Sequence, residues 1–349
     1  MLLRWMIKLK SELKKNNSTT NLRYIDVIKG IGIILVVLGH TQRPEIVLKF
    51  IQSFHMPLFF IIAGFLYKRD KYISKFSMLI KTKFNSYIKP YIIIAIFCYI
   101  IYAIIICGIK IGFGSEEYIN RLIRYLIGLI YSRGTWYWMP QCSPIWFLTA
   151  IFVSNIIFYF ILENKTLLKQ LILLTFLLII SFILSKINFI KLPWNIDSAF
   201  LGTVFMYLGY LMKRFELHKR LKWVGLIIFP LGLFAVLSNN INYVSMNSII
   251  YGNFLFMLLG SMLLSVCIFI FTYYLLPECR LIEWFGKNTI PILGFNFLVI
   301  YFVKSIWNII PIFNAIELTW YVEFIFNILL LIPIIYLWNK FYPKIIKSI

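Results

Sequence analysis

Apolar residues in this chain gather in long unbroken runs instead of alternating with polar ones. "LILLTFLLIISFIL" is typical. Runs of this kind predict helices that cross a bilayer, where every lipid-facing backbone N–H must bond within its own helix. A transmembrane barrel would alternate polar and apolar positions. Ten windows stand out: 25–42, 50–67, 90–109, 144–162, 170–187, 197–212, 223–238, 253–276, 289–309 and 320–338. The expected fold is therefore all-α, a polytopic transmembrane bundle of about ten spans.

Composition agrees with the pattern: 61% of the 349 residues are hydrophobic and the mean hydropathy is +0.85. Charge then sets the orientation. A net charge of +22 in a soluble protein would point to nucleic acid. Here the positive-inside rule accounts for it and no nucleic-acid partner is expected. With the N-terminus inside, the inner segments hold 25 of the 35 Lys and Arg, the outer loops 7 and the spans 3. The expected topology is N-in and C-in, with a basic tail at 1–24, the membrane domain at 25–338 and a second tail at 339–349. The tail at 1–24 lacks a cleavable signal pattern, and no soluble appendage or internal repeat is expected. The richness in Ile, Lys and Asn is that of an AT-rich bacterial genome, which would place the chain in a bacterial cytoplasmic membrane. The five Cys stand singly, with neither metal spacing nor an expected disulfide.

Two connections are long. The inner one, 68–89, is basic and reads either as a loop against anionic lipid headgroups or as a phosphate-binding surface. The outer one, 110–143, contains "YINRLIRYLIGLIY", an amphipathic piece suited to lying flat in the interface. It then runs into "TWYWMPQCSP", either an interfacial aromatic belt or a sugar-stacking platform.

The first span carries the most unusual chemistry. Eleven helical steps separate Lys29 from His40, which leaves them about 20° apart on one face and about 16 Å apart along the axis. Asp26 lies about 40° from His40 on that face. Ionisable groups in a span cost about 2.5–3.5 kcal/mol each near its centre and usually face the bundle interior. Asp26 and Lys29 could instead pair with each other or snorkel. His40 suits proton abstraction and Lys29 suits an anion. Their separation is on the order of a pantetheine arm, so a phosphate near Lys29 would leave a thioester near His40. In the second span His55 is either a further polar group of the site or an interfacial residue. Pro57 fits a first-turn position, and Ala63 and Gly64, like Gly30, Gly32 and Gly39, would let helices approach closely.

Several stretches together resemble the acyltransferase-3 family of integral membrane acyltransferases, particularly stand-alone members similar to fucose 4-O-acetylases and polysaccharide O-acetyltransferases. "RYIDVIKGIGIILVVLGH" resembles the family's first helix, where a basic residue, ten arbitrary residues and a His form a signature met here by Lys29 and His40. "HMPLFFIIAGF" resembles its Phe-Phe-x-x-Ser-Gly element at Phe59, Phe60, Ala63 and Gly64, with Ala63 in place of the commoner Ser. "KTKFNSYIKPY", "SPIWFLTAIF", "MYLGYLMKRF" and "IEWFGKNTIPILGFNF" resemble later family segments, the last with Asn296 where many members have His. The resemblance implies transfer of an acyl group, usually acetyl from acetyl-CoA, to a hydroxyl of a cell-surface glycan or its lipid-linked precursor. It implies His40 as base or acyl carrier, Lys29 binding a CoA phosphate or orienting the site, and Asp26 setting the charge of Lys29 or helping to position a ligand. Trp146, His55, Phe59 and Phe60 would shape the substrate pocket. Lys81, Lys83 and Lys89 would hold the CoA phosphates, with no metal. A transporter or flippase of a lipid-linked sugar or acyl group is the competing reading, although no inverted repeat or paired broken helices accompany it.

Overall fold

The computed structural model describes residues 23–164, 166–187, 189–241, 243–310 and 318–348. The expected basic tail therefore lies outside the described residues except for its last two positions. The described chain is helical, without a sheet; its one bridged pair is Ser245 with Ile250.

Each of the ten expected windows falls on a helix. In order the helices of eight residues or more are α1 (23–39), α2 (Glu45–Phe65), α3 (Phe76–Ile111), α4 (Glu116–Tyr131), α5 (Trp146–Glu163), α6 (Leu167–Leu184), α7 (Ile196–Arg214), α8 (Gly225–Ser238), α9 (Phe254–Leu275), α10 (Arg280–Lys287), α11 (Thr289–Ile309) and α12 (Trp320–Ser348). Seven of the helices among the described residues are long and apolar enough to cross a membrane.

Burial orders the bundle. Of the most apolar window of the helix containing α5, 78% is buried, against 22% for α6 and 22% for α12. Thus α5 is central, and α6 and α12 turn Leu168, Ile172, Phe176, Ile325 and Leu329 outward. Apolar side chains on the outside of a helical bundle are what a lipid solvent demands. The centre is α2, α5 and α7. A methyl added to Gly64 would lie 1.8 Å from the Met206 carbonyl oxygen, and one on Gly209 would lie 1.9 Å from that of Ile61. The two backbones touch there because neither residue has a side chain.

Two local expectations change. The stretch 68–89 is largely helical: Arg69–Tyr72 forms one turn, and from Phe76 the chain runs into the 36-residue α3. Pro90 supplies no N–H, and the wide π-turns Phe84–Ile88 just before it take up the shifted hydrogen-bond register. Pro57 is not in a first turn, because α2 begins at Glu45. Mid-helix, Pro57 leaves the Ser53 carbonyl without its usual donor. Ser261 Oγ of α9 lies within hydrogen-bond reach of that carbonyl, so the vacancy becomes a contact between helices. The amphipathic piece forms α4 as expected. The Ser115 hydroxyl accepts from the Tyr118 N–H at 3.2 Å at its start, and Ser132 ends it in a left-handed conformation (φ 58°).

Candidate active site

Three cavities follow one stripe of α1. Asp26, Lys29 and Ile33 line the first, of about 410 Å³. Val36 and His40 line the second, of about 110 Å³. Gly39 and His40 line the third, of about 430 Å³. The spacing of these residues is the helical repeat, so the shared face read from the sequence is the face that borders the cavities. Met56 and Leu293 line both the first and the second; His40 and Gln52 line both the second and the third.

The Lys29 cavity is held open by a tight helix crossing. A methyl on Gly286 would fall 1.7 Å from the Asp26 carbonyl oxygen, and one on Gly30 2.0 Å from that of Ile282. With α1 and α10 in backbone contact, Lys29 and Lys287 line the same space. Lys29 Nζ lies 2.9 Å from Asp26 Oδ1. Both remain partly accessible, so the pairing and the cavity coexist. Phe59 and Ala63 line this cavity. Phe60 does not; it is fully buried over Gly202, with its ring 5.0 Å from that of Phe147.

The histidine chamber joins His40, His55, Gln52 and Trp146 under a lid formed by 244–247. His40 Nδ1 lies 2.6 Å from the Val36 carbonyl oxygen and His55 Nδ1 lies 2.7 Å from that of Ile51. A carbonyl only accepts, so each Nδ1 carries the proton and donates it. Each Nε2 then keeps its lone pair, the form a general base needs. Gln52 Oε1 and Asn247 Oδ1 are buried without a hydrogen-bond partner among the described residues, and both side chains line the chamber.

The third cavity is built on Trp136. Its ring is 5.6 Å from Phe297, which meets the His40 ring edge-on at 4.9 Å. Trp136 is 71% exposed, an open aromatic face beside a histidine. Arg43, Lys110 and Lys304 line the same cavity.

Of the expected site residues, the structure brings together Asp26, Lys29 and Phe59 around one space and His40, His55 and Trp146 around the next. It does not bring Lys81, Lys83 and Lys89 to either. Lys83 Nζ sits among Tyr67, Tyr72 and Tyr87, 5.6–5.7 Å from each ring centroid, and Lys81 is exposed. Asn296 is fully buried and lines none of the three cavities.

Other polar groups went unnoticed in the sequence. Arg133, 2% exposed, meets Asp197 at 2.9 Å and Asn195 at 3.1 Å, tying the segment after α4 to the start of α7. Ser198 Oγ–H then donates to the Met246 carbonyl at 2.7 Å, which anchors the chamber's lid. Lys304 meets the buried Glu323 at 3.3 Å. An acid and a base inside two successive expected spans was a usable signal for this last pair.

A half-buried histidine with a free ring nitrogen, set between two cavities of an apolar helical bundle, defines the class: an integral membrane protein with an interior polar site. The acyltransferase-domain family model matches residues 22–337, and the chain belongs to the acyltransferase-3 family. No curated protein and no solved structure matches the chain.

Proposed function

We propose that this membrane acyltransferase is an O-acetyltransferase. It would move an acetyl group from acetyl-CoA to a hydroxyl of a cell-surface glycan or its lipid-linked precursor, as in fucose 4-O-acetylases and polysaccharide O-acetyltransferases. One observation carries the reading: His40, its Nδ1–H given to Val36 and its Nε2 free, lines both the small chamber and the Trp136 cavity. The donor enters by the Lys29 cavity and the acceptor by the Trp136 cavity. His40 Nε2 takes the proton of the acceptor hydroxyl as its oxygen attacks the thioester carbonyl. The carbon–sulfur bond breaks, and the imidazolium returns the proton to the departing CoA thiolate.

In this scheme Lys29 binds a CoA phosphate, with Asp26 holding its amine in place, and Phe59 and Trp146 form the walls along which the acyl group passes. His55, with the same tautomer, accepts at Nε2 from a water or from the acceptor hydroxyl. Lys81 and Lys89 attract the CoA phosphates on approach, while Lys83, set among three tyrosine rings, supports that surface. Ten spans, N-in and C-in, in a bacterial cytoplasmic membrane complete the proposal. They put the Lys29 cavity on the side where acyl-CoA is made. The test is free-CoA release by purified wild type and His40→Ala supplied with acetyl-CoA and a glycan panel. Acceptor-stimulated release by the wild type alone supports the assignment. Equal release by both proteins would move the base elsewhere, with His55 next to test.

A further inference from the structure

We infer that the acceptor is acidic, a saccharide carrying a carboxylate or a phosphate that the Trp136 cavity holds by charge. The inference rests on the acyltransferase reading of the same site and names its substrate class. The outer loops and the spans together contain only ten Lys and Arg under the N-in topology, yet Arg43, Lys110 and Lys304 all line this one cavity. Concentrating cations where the positive-inside rule thins them out needs a reason other than orientation. The adjacent acid is Glu323, fully buried, 3.3 Å from Lys304 and accepting from the Gln42 N–H at 3.0 Å. One carboxylate against three cations leaves the cavity positive.

Neither of the other two cations is fully buried. Lys110 is exposed, with its amine 4.7 Å from the centroid of the Tyr301 ring and no carboxylate partner among the described residues. Arg43 donates to the Thr41 carbonyl, which fixes its guanidinium at the end of α1 next to His40. A sugar stacked on Trp136 thus meets a base on one side and a cationic rim on the other. Low-dielectric walls strengthen that attraction relative to water. A neutral sugar would use the indole and leave the cations unused.

Binding separates this inference from the transferase reading, because it needs no donor. The full chain in lipid nanodiscs is titrated calorimetrically with three probes: a galacturonate oligomer, its carboxyl-reduced counterpart and a glycerol-phosphate oligomer. At least one charged probe should bind roughly tenfold or more tighter than the reduced one, with the gap shrinking as salt rises. A preference for galacturonate identifies a carboxylate, and a preference for glycerol phosphate identifies a phosphate. Lys110→Gln, at an exposed position, should remove most of the gap and leave binding of the reduced probe unchanged. Equal affinity for charged and reduced probes, binding of neither charged probe, or an undiminished gap in Lys110→Gln overturns the inference. CoA release measured with the same probes reads the transferase assignment independently. Charge-selective binding with no release would retire that assignment alone.

Discussion

At the scale of single residues, His40 and His55 present the same solution twice. Each sits four residues beyond a carbonyl that accepts a hydrogen bond from its Nδ1–H. Of the two, only His40 lines both the chamber and the Trp136 cavity. His40→Ala should therefore lower turnover by about 10²–10⁴-fold. It should leave thermal stability near wild type, since the half-buried ring supplies little packing. Turnover measured alongside a melting curve checks both halves. Lys29→Ala should mainly raise the KM for acyl-CoA, with Lys29→Arg retaining part of the affinity; equal loss in both would mean that shape, not charge, is required. The Lys29–His40 stripe was legible because helical geometry is regular. The tautomer lock was not, because it depends on where a side chain bends back to its own backbone. Gln52 and Asn247 were illegible for another reason: an amide in an apolar stretch carries no signal until its neighbours are known. His218, outside the spans, shows a further residue-scale effect. It stacks on Tyr24 and receives or gives a hydrogen bond at 3.2 Å to the tyrosine hydroxyl. Burial, and then the charge of Lys219, push its pKa down to about 4. The folded protein thus holds His218 neutral, while the unfolded chain protonates near the ordinary value of about 6.5. This contribution to stability is present above that value and is lost as pH falls toward 4. Melting temperature against pH should decline over that interval in wild type and decline less in His218→Phe.

At the scale of elements, close approach of helices sets where the cavities lie. Gly209 and Gly64 bring α7 and α2 together, and Gly286 and Gly30 bring α10 against α1. Gly209→Leu should prevent folding, seen as loss of monodisperse protein in detergent. Gly39→Ala, where the added methyl meets only an Ile51 side-chain atom at 3.4 Å, should be tolerated. The buried Arg133–Asp197 pair joins the α4–α5 connection to α7. Asp197→Ala should cost about 3–5 kcal/mol by stranding a buried guanidinium. The double substitution Arg133→Met with Asp197→Leu should recover part of that loss, and chemical denaturation of the three proteins measures the difference. The ten helical windows were readable because apolar runs are long and the bilayer permits one answer. The basic stretch 68–89 was harder to read, since Lys and Arg favour helix as readily as they mark a loop. Pro57 misled because its cost is met by Ser261, a residue about two hundred positions away that no local pattern connects to it.

At the scale of the whole molecule, the three cavities succeed one another along α1 from Lys29 through His40 to Trp136. Reaction between partners arriving from opposite ends requires those ends to face opposite sides of the membrane. The proposed N-in topology, argued from the distribution of Lys and Arg, would put the Lys29 end inside. Orientation is a property of the chain in its membrane, so it is tested there, with a reporter at each end. Lys81 at the start of α3 and Ile190 between α6 and α7 are both exposed, the latter 89%. All five cysteines are free, and none lies on the path through the cavities. Replacing them should preserve activity and clear the background for single reporters. In that cysteine-free chain, Ile190→Cys should react with a membrane-impermeant maleimide in intact cells, and Lys81→Cys only in inverted vesicles. Labelling of both positions from one side would rule out the crossing path, and with it the separation of donor and acceptor entrances. Labelling in the reverse sense would keep the path but turn it around. The cationic Trp136 cavity would then face the acyl-CoA pool, and its three cations would be the phosphate-binding group for the donor.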